Sequence, residues 1–359
     1  MAAGARNSST EAETLCASSI EWNGDKKVNL ALQGGGSHGA FTWGVLDAIL
    51  EDGRLDIEAI SGTSAGAMNA VALAQGFLEG GRDGARRTLE QFWSSVCDEN
   101  ALTVSQRDLF NRFFGQFSFD NSPFQAWLNL VAQISSPYQF NPLNINPLRD
   151  HLESIVDFEK VRACKQIKLF IAATNVYTGH IAIFKTPELT PDHVMASACL
   201  PTIFQAVEID GVPYWDGGFL GNPALFPFFY ESGSEDIIIV QINPIERREL
   251  PETANDIQNR LNEITFNSAL MGELRSVAFV SRLIDEGRLS RDEYKRPLMH
   301  RIGGGGDAAM FSAASKFDTR WSFLKKLRDN GRKAAKEWLD DNYIHIGARD
   351  TLNLRFAFN

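Results

Sequence analysis

Three short segments carry residue types that could transfer an acyl group. Gly62-Thr63-Ser64-Ala65-Gly66 places a hydroxyl nucleophile between two glycines. On a sharp strand-to-helix turn, Ser64 Oγ would project over the end of a sheet, beside a helix N-terminus that tolerates negative charge. Gly62 and Gly66 would leave room for that turn. Gly34-Gly35-Gly36-Ser37-His38-Gly39 offers consecutive backbone N–H groups without side chains in the way, as an oxyanion hole or anion nest requires. Asp216-Gly217-Gly218 puts a carboxylate in a tight turn, close to main chain.

Each segment taken singly leaves alternatives open. Gly34, Gly36 and Gly39 also fit the Gly-x-Gly-x-x-Gly spacing of a dinucleotide loop, with Glu51, Asp52 or Asp56 as the acidic residue. A nucleotide-binding oxidoreductase would follow from that, although such a domain does not need the Ser64 turn. A catalytically silent lipid-binding scaffold is a third reading. A serine triad of the usual order wants a histidine after the acid. Of His38, His151, His180, His193, His300 and His345, only the last two lie beyond Asp216. His300 falls in a basic, loop-like stretch and His345 near the C-terminus, so the triad lacks a supported base.

The elements that must hold these segments are legible as patterns. Val28–Leu32 and Ile57–Ser61 are short apolar runs, each followed by glycines, and predict buried strands. Helical spacing over Gly39–Leu50 and Ala67–Leu78 predicts helices, closed by Gly53 and by Gly80-Gly81. The start of the chain therefore reads strand–helix–strand–helix, an α/β layer architecture. Ile167–Thr174 and His180–Phe184 predict a hairpin-like pair, Pro191–Ala198 a short helix, and Asp236–Val240 a β-branched buried strand. Residues 102–147 are rich in aromatics and broken by prolines, which predicts a cap of short helices and loops that could line an acyl cleft. Ile257–Leu283 and Phe323–Leu339 predict long amphipathic helices. The lysines and arginines of the latter form either a solvated face or a membrane-surface face. Gly303 to Gly306 predicts a flexible connection, not a phosphate loop, because no Gly-Lys-Ser or Gly-Lys-Thr follows.

Composition narrows the function classes. The 359 residues are 44% apolar and 22% charged, which suits a chain with a sizeable core and excludes a disordered one. No apolar run approaches the roughly 18 residues of a spanning helix. The net charge of −10 disfavours a nucleic-acid partner and strong attraction to anionic bilayers. Cys16, Cys97, Cys164 and Cys199 are widely spaced, so neither a disulfide framework nor a cysteine zinc site is expected. Residues 1–26 lack a secretory apolar core and read as a flexible tail. A cytoplasmic chain is expected, peripheral at most to a membrane.

Together, in this order, the three motifs resemble the patatin-like phospholipase family. The resemblance covers about residues 27–240. The helical segment beyond, with Trp321-Ser322-Phe323-Leu324, resembles that of bacterial members. It implies a three-layer α/β/α sandwich with a mostly parallel central sheet, followed by a mainly helical extension over 241–359. It implies a serine acyl hydrolase acting on a lipid or other acyl ester through a Ser–Asp dyad, which removes the need for a histidine. Carried over residue by residue, Ser64 is the nucleophile, Asp216 the base, and the loop Gly34, Gly35 and Gly36 the oxyanion hole. Gly62, Gly66, Gly217, Gly218 and His38 support them. No metal or cofactor is implied. Transient contact with a membrane surface is. His38 departs from the family pattern, which has Arg or Lys there. A neutral imidazole would weaken the charge behind the loop or make it pH-dependent.

Overall fold

The computed structural model describes residues 21–97, 136–144, 146–247, 250–303, 315–316 and 318–354. Most of the aromatic segment, most of the N-terminal tail and Gly304 to Gly306 lie outside the described residues. In chain order the strands are β1 (Lys26–Leu32), β2 (Leu55–Gly62), β3 (Lys168–Asn175), β4 (Ile181–Lys185), β5 (Val207–Ile209), β6 (Val212–Asp216), β7 (Asp236–Gln241) and β8 (Leu298–Gly303). The helices are α1 (Gly39–Asp52), α2 (Ala65–Cys97), α3 (Pro137–Phe140), α4 (Pro147–Ile155), α5 (Phe158–Ala163), α6 (Pro191–Ser197), α7 (Phe226–Glu231), α8 (Ala254–Asp285) and α9 (Trp321–Asn342).

The sheet runs β5-β6-β3-β2-β1-β7-β8, with β4 on β3. β3, β2, β1, β7 and β8 are mutually parallel, and β4, β5 and β6 supply the antiparallel pairs. Period-two alternation explains the layers. Val28, Leu30 and Leu32 face one core with Leu169, Ile171, Ile238 and Val240. Their neighbours Ala31, Phe170, Ile237 and Ile239 face a second core on the other side. α1, α2, α4 to α6 and α9 cover the first face; α7 and α8 cover the second. This is the three-layer sandwich.

Several elements run beyond their sequence patterns. α2 does not stop at Gly80-Gly81 but kinks there, with non-helical backbone at both glycines, and continues to Cys97. β8 lies where the sequence suggested a loop, and fully buried His300 belongs to it. His300 Nε2 meets Asp236 Oδ1 at 2.9 Å near the N-terminal end of β7, away from the glycine motifs. Trp22, inside the expected tail, stacks on Phe77 with centroids 3.9 Å apart. α9 packs on α1 where Gly44 and Gly331 let the two backbones touch. Three of its basic residues are engaged there: Arg332 pairs with Asp47 and Glu51, Lys336 with Glu51, and Arg328 lies over Trp43. Among the described residues no helix is long and apolar enough to cross a membrane.

Candidate active site

β1 and β2 are adjacent and parallel, so the turns that follow them emerge side by side at one end of the sheet. Ser64 opens the second turn with φ of +53°, a left-handed backbone that a serine adopts only under constraint. The constraint is visible. Gly66 N–H returns to Thr63 O at 2.8 Å, and Ser64 N–H donates to Ser197 Oγ at 2.9 Å. Thr63 Oγ1 ties the turn to Gly221 O at 2.6 Å. A Cβ on Gly66 would collide with Leu32 O, so only glycine lets the elbow lie against β1. Ser64 itself stays half-buried, open to a reactant.

Asp216 arrives from the other direction. β3 gives its first residues to β2, ending at Ile171↔Gly62, and its last to β6, where Ala173 faces Asp216. The serine and the aspartate therefore meet along one edge of β3. Asp216 is 2% exposed and caps the turn of Gly217–Phe219, its Oδ1 accepting Gly218 N–H at 2.7 Å. Its own N–H donates to Cys199 O at 2.8 Å. The end of α6 and the residues after it thus hold both the serine and the aspartate. Burial pushes the Asp216 carboxyl up from 3.8 to about 7. The Gly218 N–H, a hydrogen bond from the Ser64 hydroxyl and the Lys316 charge all pull against that rise. The same burial raises the Cys199 thiol to about 12, which keeps it protonated and inert.

The glycine-rich loop is anchored at its start and open at its tip. Gly34 N–H donates to Asn222 Oδ1 at 2.6 Å, and Gly34 O accepts from Asn243 Nδ2 at 2.7 Å. Gly34 is therefore an anchor, and its amide is not available to an oxyanion. Gln33 locks the same region: Oε1 accepts the N–H groups of Ile242 and Asn243, both at 2.9 Å. Its Nε2 donates to Asn267 Oδ1 at 3.1 Å. Gly35 and Gly36 begin a 3₁₀ turn that runs into α1, so their N–H groups are donors that a helical start leaves without intrahelical partners. Gly36 is exposed and Gly35 half-buried. Gly36 has φ of +58°, and a Cβ there would lie 2.5 Å from Lys316 O. His38 is fully buried with Nε2 at 2.7 Å from Ser315 Oγ. Burial, then the Lys316 and Arg247 charges, hold its pKa well below 6.5, so the imidazole is neutral at pH 7.

Gly62, Gly217 and Gly218 are close-approach positions. A side chain would meet Gly66 O, Ala172 O and the Phe266 ring respectively. The residues that sequence patterns did not single out are Gln33, Ser197, Asn222, Asn243 and Lys316. Only their contacts identify them.

The model of the Patatin family, described as patatin-like phospholipase, matches residues 30–229 and spans all three motifs. The chain belongs to the patatin-like phospholipase family. Its patatin-like core thus runs from β1 into α7, and β7, β8, α8 and α9 lie beyond the matched span. No curated protein matches the chain. Among solved structures it is similar to VipD from Legionella pneumophila, at 16% identity over 87% of this chain and 66% of that one, with a TM-score of 0.36. It is also similar to the type III effector ExoU, at 15% identity over 87% of this chain and 53% of that one, TM-score 0.34. ExoU in the heterodimeric ExoU–SpcU complex of the Pseudomonas aeruginosa type III secretion system gives 16%, 89%, 52% and 0.35. The chain spans between about half and two thirds of those proteins.

Proposed function

We propose that this patatin-like chain is a serine lipid acyl hydrolase. The observation that carries the reading is the meeting of Ser64, on a left-handed elbow, with buried Asp216 along one edge of β3. Asp216 takes the proton of Ser64 Oγ as the oxygen attacks an ester carbonyl. The bond forms between Oγ and the carbonyl carbon, and the carbonyl electrons move to oxygen. The N–H groups of Gly35 and Gly36 receive that oxyanion at the start of a helix. On collapse the ester bond breaks and protonated Asp216 returns its proton to the leaving alcohol. Water, deprotonated by Asp216, then releases the acid from acyl-Ser64.

An aspartate of ordinary acidity is a poor base; one lifted to about 7 by burial is matched to neutral pH. The substrate class is a phospholipid, lysophospholipid or neutral acyl ester, met at a membrane surface. Free fatty-acid release from a panel of these lipids tests the reading. Release by the wild type that is lost in Ser64→Ala supports it and names the class. Equal release by both proteins contradicts it.

A further inference from the structure

Lys316 is a half-buried lysine behind the glycine-rich loop, far along the chain from the three motifs. Its Nζ donates to Asn243 Oδ1 at 2.9 Å and lies 5.8 Å from the centre of the Phe266 ring. The nearby Glu263 is committed elsewhere, to Arg247 at 2.7 Å and Arg260 at 3.1 Å. Among the described residues the ammonium is held by an amide oxygen and a ring and by no ion pair, and drawing it even partly out of water on those terms is costly. Packing alone does not account for it, because an apolar side chain of the same length would fill the space without that cost.

The contacts of Lys316 and its neighbour converge on the loop. Asn243, which Lys316 holds, donates to Gly34 O at 2.7 Å. The Lys316 carbonyl presses on Gly36, and Ser315 Oγ meets His38 Nε2 at 2.7 Å. The start, tip and end of the loop are thus touched by residues 315 and 316, directly or through one side chain. We infer that Lys316 is a positioning residue of the hydrolase. It fixes Gly35 and Gly36 where an oxyanion forms and directs its charge at that oxyanion and at Asp216.

The charges around the pair give the sign. Burial and Arg247 disfavour the Lys316 ammonium, while Glu263 and Asp216 favour it. Lys316 in turn draws the Asp216 carboxyl down. Cys199 and His38, the remaining titratable neighbours among the described residues, are both neutral at pH 7. Arg247 is held by Glu263. The charge directed at Asp216 therefore comes from Lys316.

The inference rests on the hydrolase reading, and its test separates the two. The rate at which a fluorophosphonate labels Ser64 is followed from about pH 5 to about pH 9, beside thermal melts. Wild type, Lys316→Met and Lys316→Arg are compared. Lys316→Met moves the acid-side midpoint upward and slows labelling on that limb roughly tenfold per unit of movement. Its Tm stays at or above the wild-type value, because a partly desolvated charge has been removed. Lys316→Arg keeps the wild-type midpoint. A Lys316→Met protein with the wild-type midpoint and rate overturns the inference. So does a loss of rate that merely tracks a fall in Tm. A wild type that labels at no pH overturns the hydrolase reading, and this inference falls with it.

Discussion

Ser64 and Asp216 stand at the ends of two strands that approach β3 from opposite directions, and a single β3 residue, Ala172, separates their pairing sites. The parallel partner β2 delivers the hydroxyl and the antiparallel partner β6 delivers the carboxylate. On the proposed reading no histidine is needed between them, because the register brings the two strand ends together. A slip of one residue in β6 would turn Asp216 to the other face of the sheet.

With Asp216 as the proposed base, its carboxyl, pushed up to about 7 by burial, is expected to set the acid limb of activity. The base must be ionised, so kcat/KM rises with pH and levels off above a midpoint near 7. A pH–rate profile on a water-soluble ester checks this. A profile already flat at about pH 5 contradicts it.

Folding raises the Asp216 pKa, so the protonated form is the one that folding favours. Its contribution to stability is greatest below about pH 4 and declines as pH rises through about 7. Asp216→Asn removes the buried charge while leaving an oxygen for the Gly218 N–H. At about pH 8 the variant is expected to melt higher than wild type, by up to about 4 kcal/mol, and to lose activity. Melts of the two proteins at acid and alkaline pH show whether the gain is confined to the alkaline side.

Ser197 accepts the Ser64 N–H at 2.9 Å and so fixes the elbow. Ser197→Ala leaves that amide without its acceptor, at about 1–2 kcal/mol of stability. The rate falls roughly tenfold in kcat with little change in KM, because the nucleophile is misplaced while the binding surface is kept. Steady-state kinetics on one ester decide it; a change confined to KM would place Ser197 in binding instead.

Gly36 is both left-handed and pressed by Lys316 O. Gly36→Ala therefore strains the backbone and displaces the segment behind it, for a loss of about 1–3 kcal/mol. Gly53→Ala is the control, left-handed but with open space around it. A fall in Tm and activity at Gly36 well beyond that at Gly53 is the expected result.

The strand–helix–strand–helix opening was legible because β1 and β2 are short apolar runs closed by glycines, and Ser64 and Asp216 were legible as motifs. β8 was not, because Met299-His300-Arg301 breaks the apolar run and gains its place by pairing with β7. Gly34 looked like its neighbours in sequence; its contacts with Asn222 and Asn243 make it an anchor. Ser197, Asn243 and Lys316 carry no local pattern, since their roles come from contacts across the fold. Half-buried Lys316 was the least visible, as an isolated lysine reads as surface.

The most direct test of the account is the site of covalent capture. Wild type, Ser64→Ala and Asp216→Asn are treated with a fluorophosphonate at about pH 8, and the modified peptide is identified by mass spectrometry. The account predicts one adduct, on Ser64 of the wild type, absent in Ser64→Ala and strongly slowed in Asp216→Asn. An adduct on another residue, or labelling of Asp216→Asn at the wild-type rate, would contradict it.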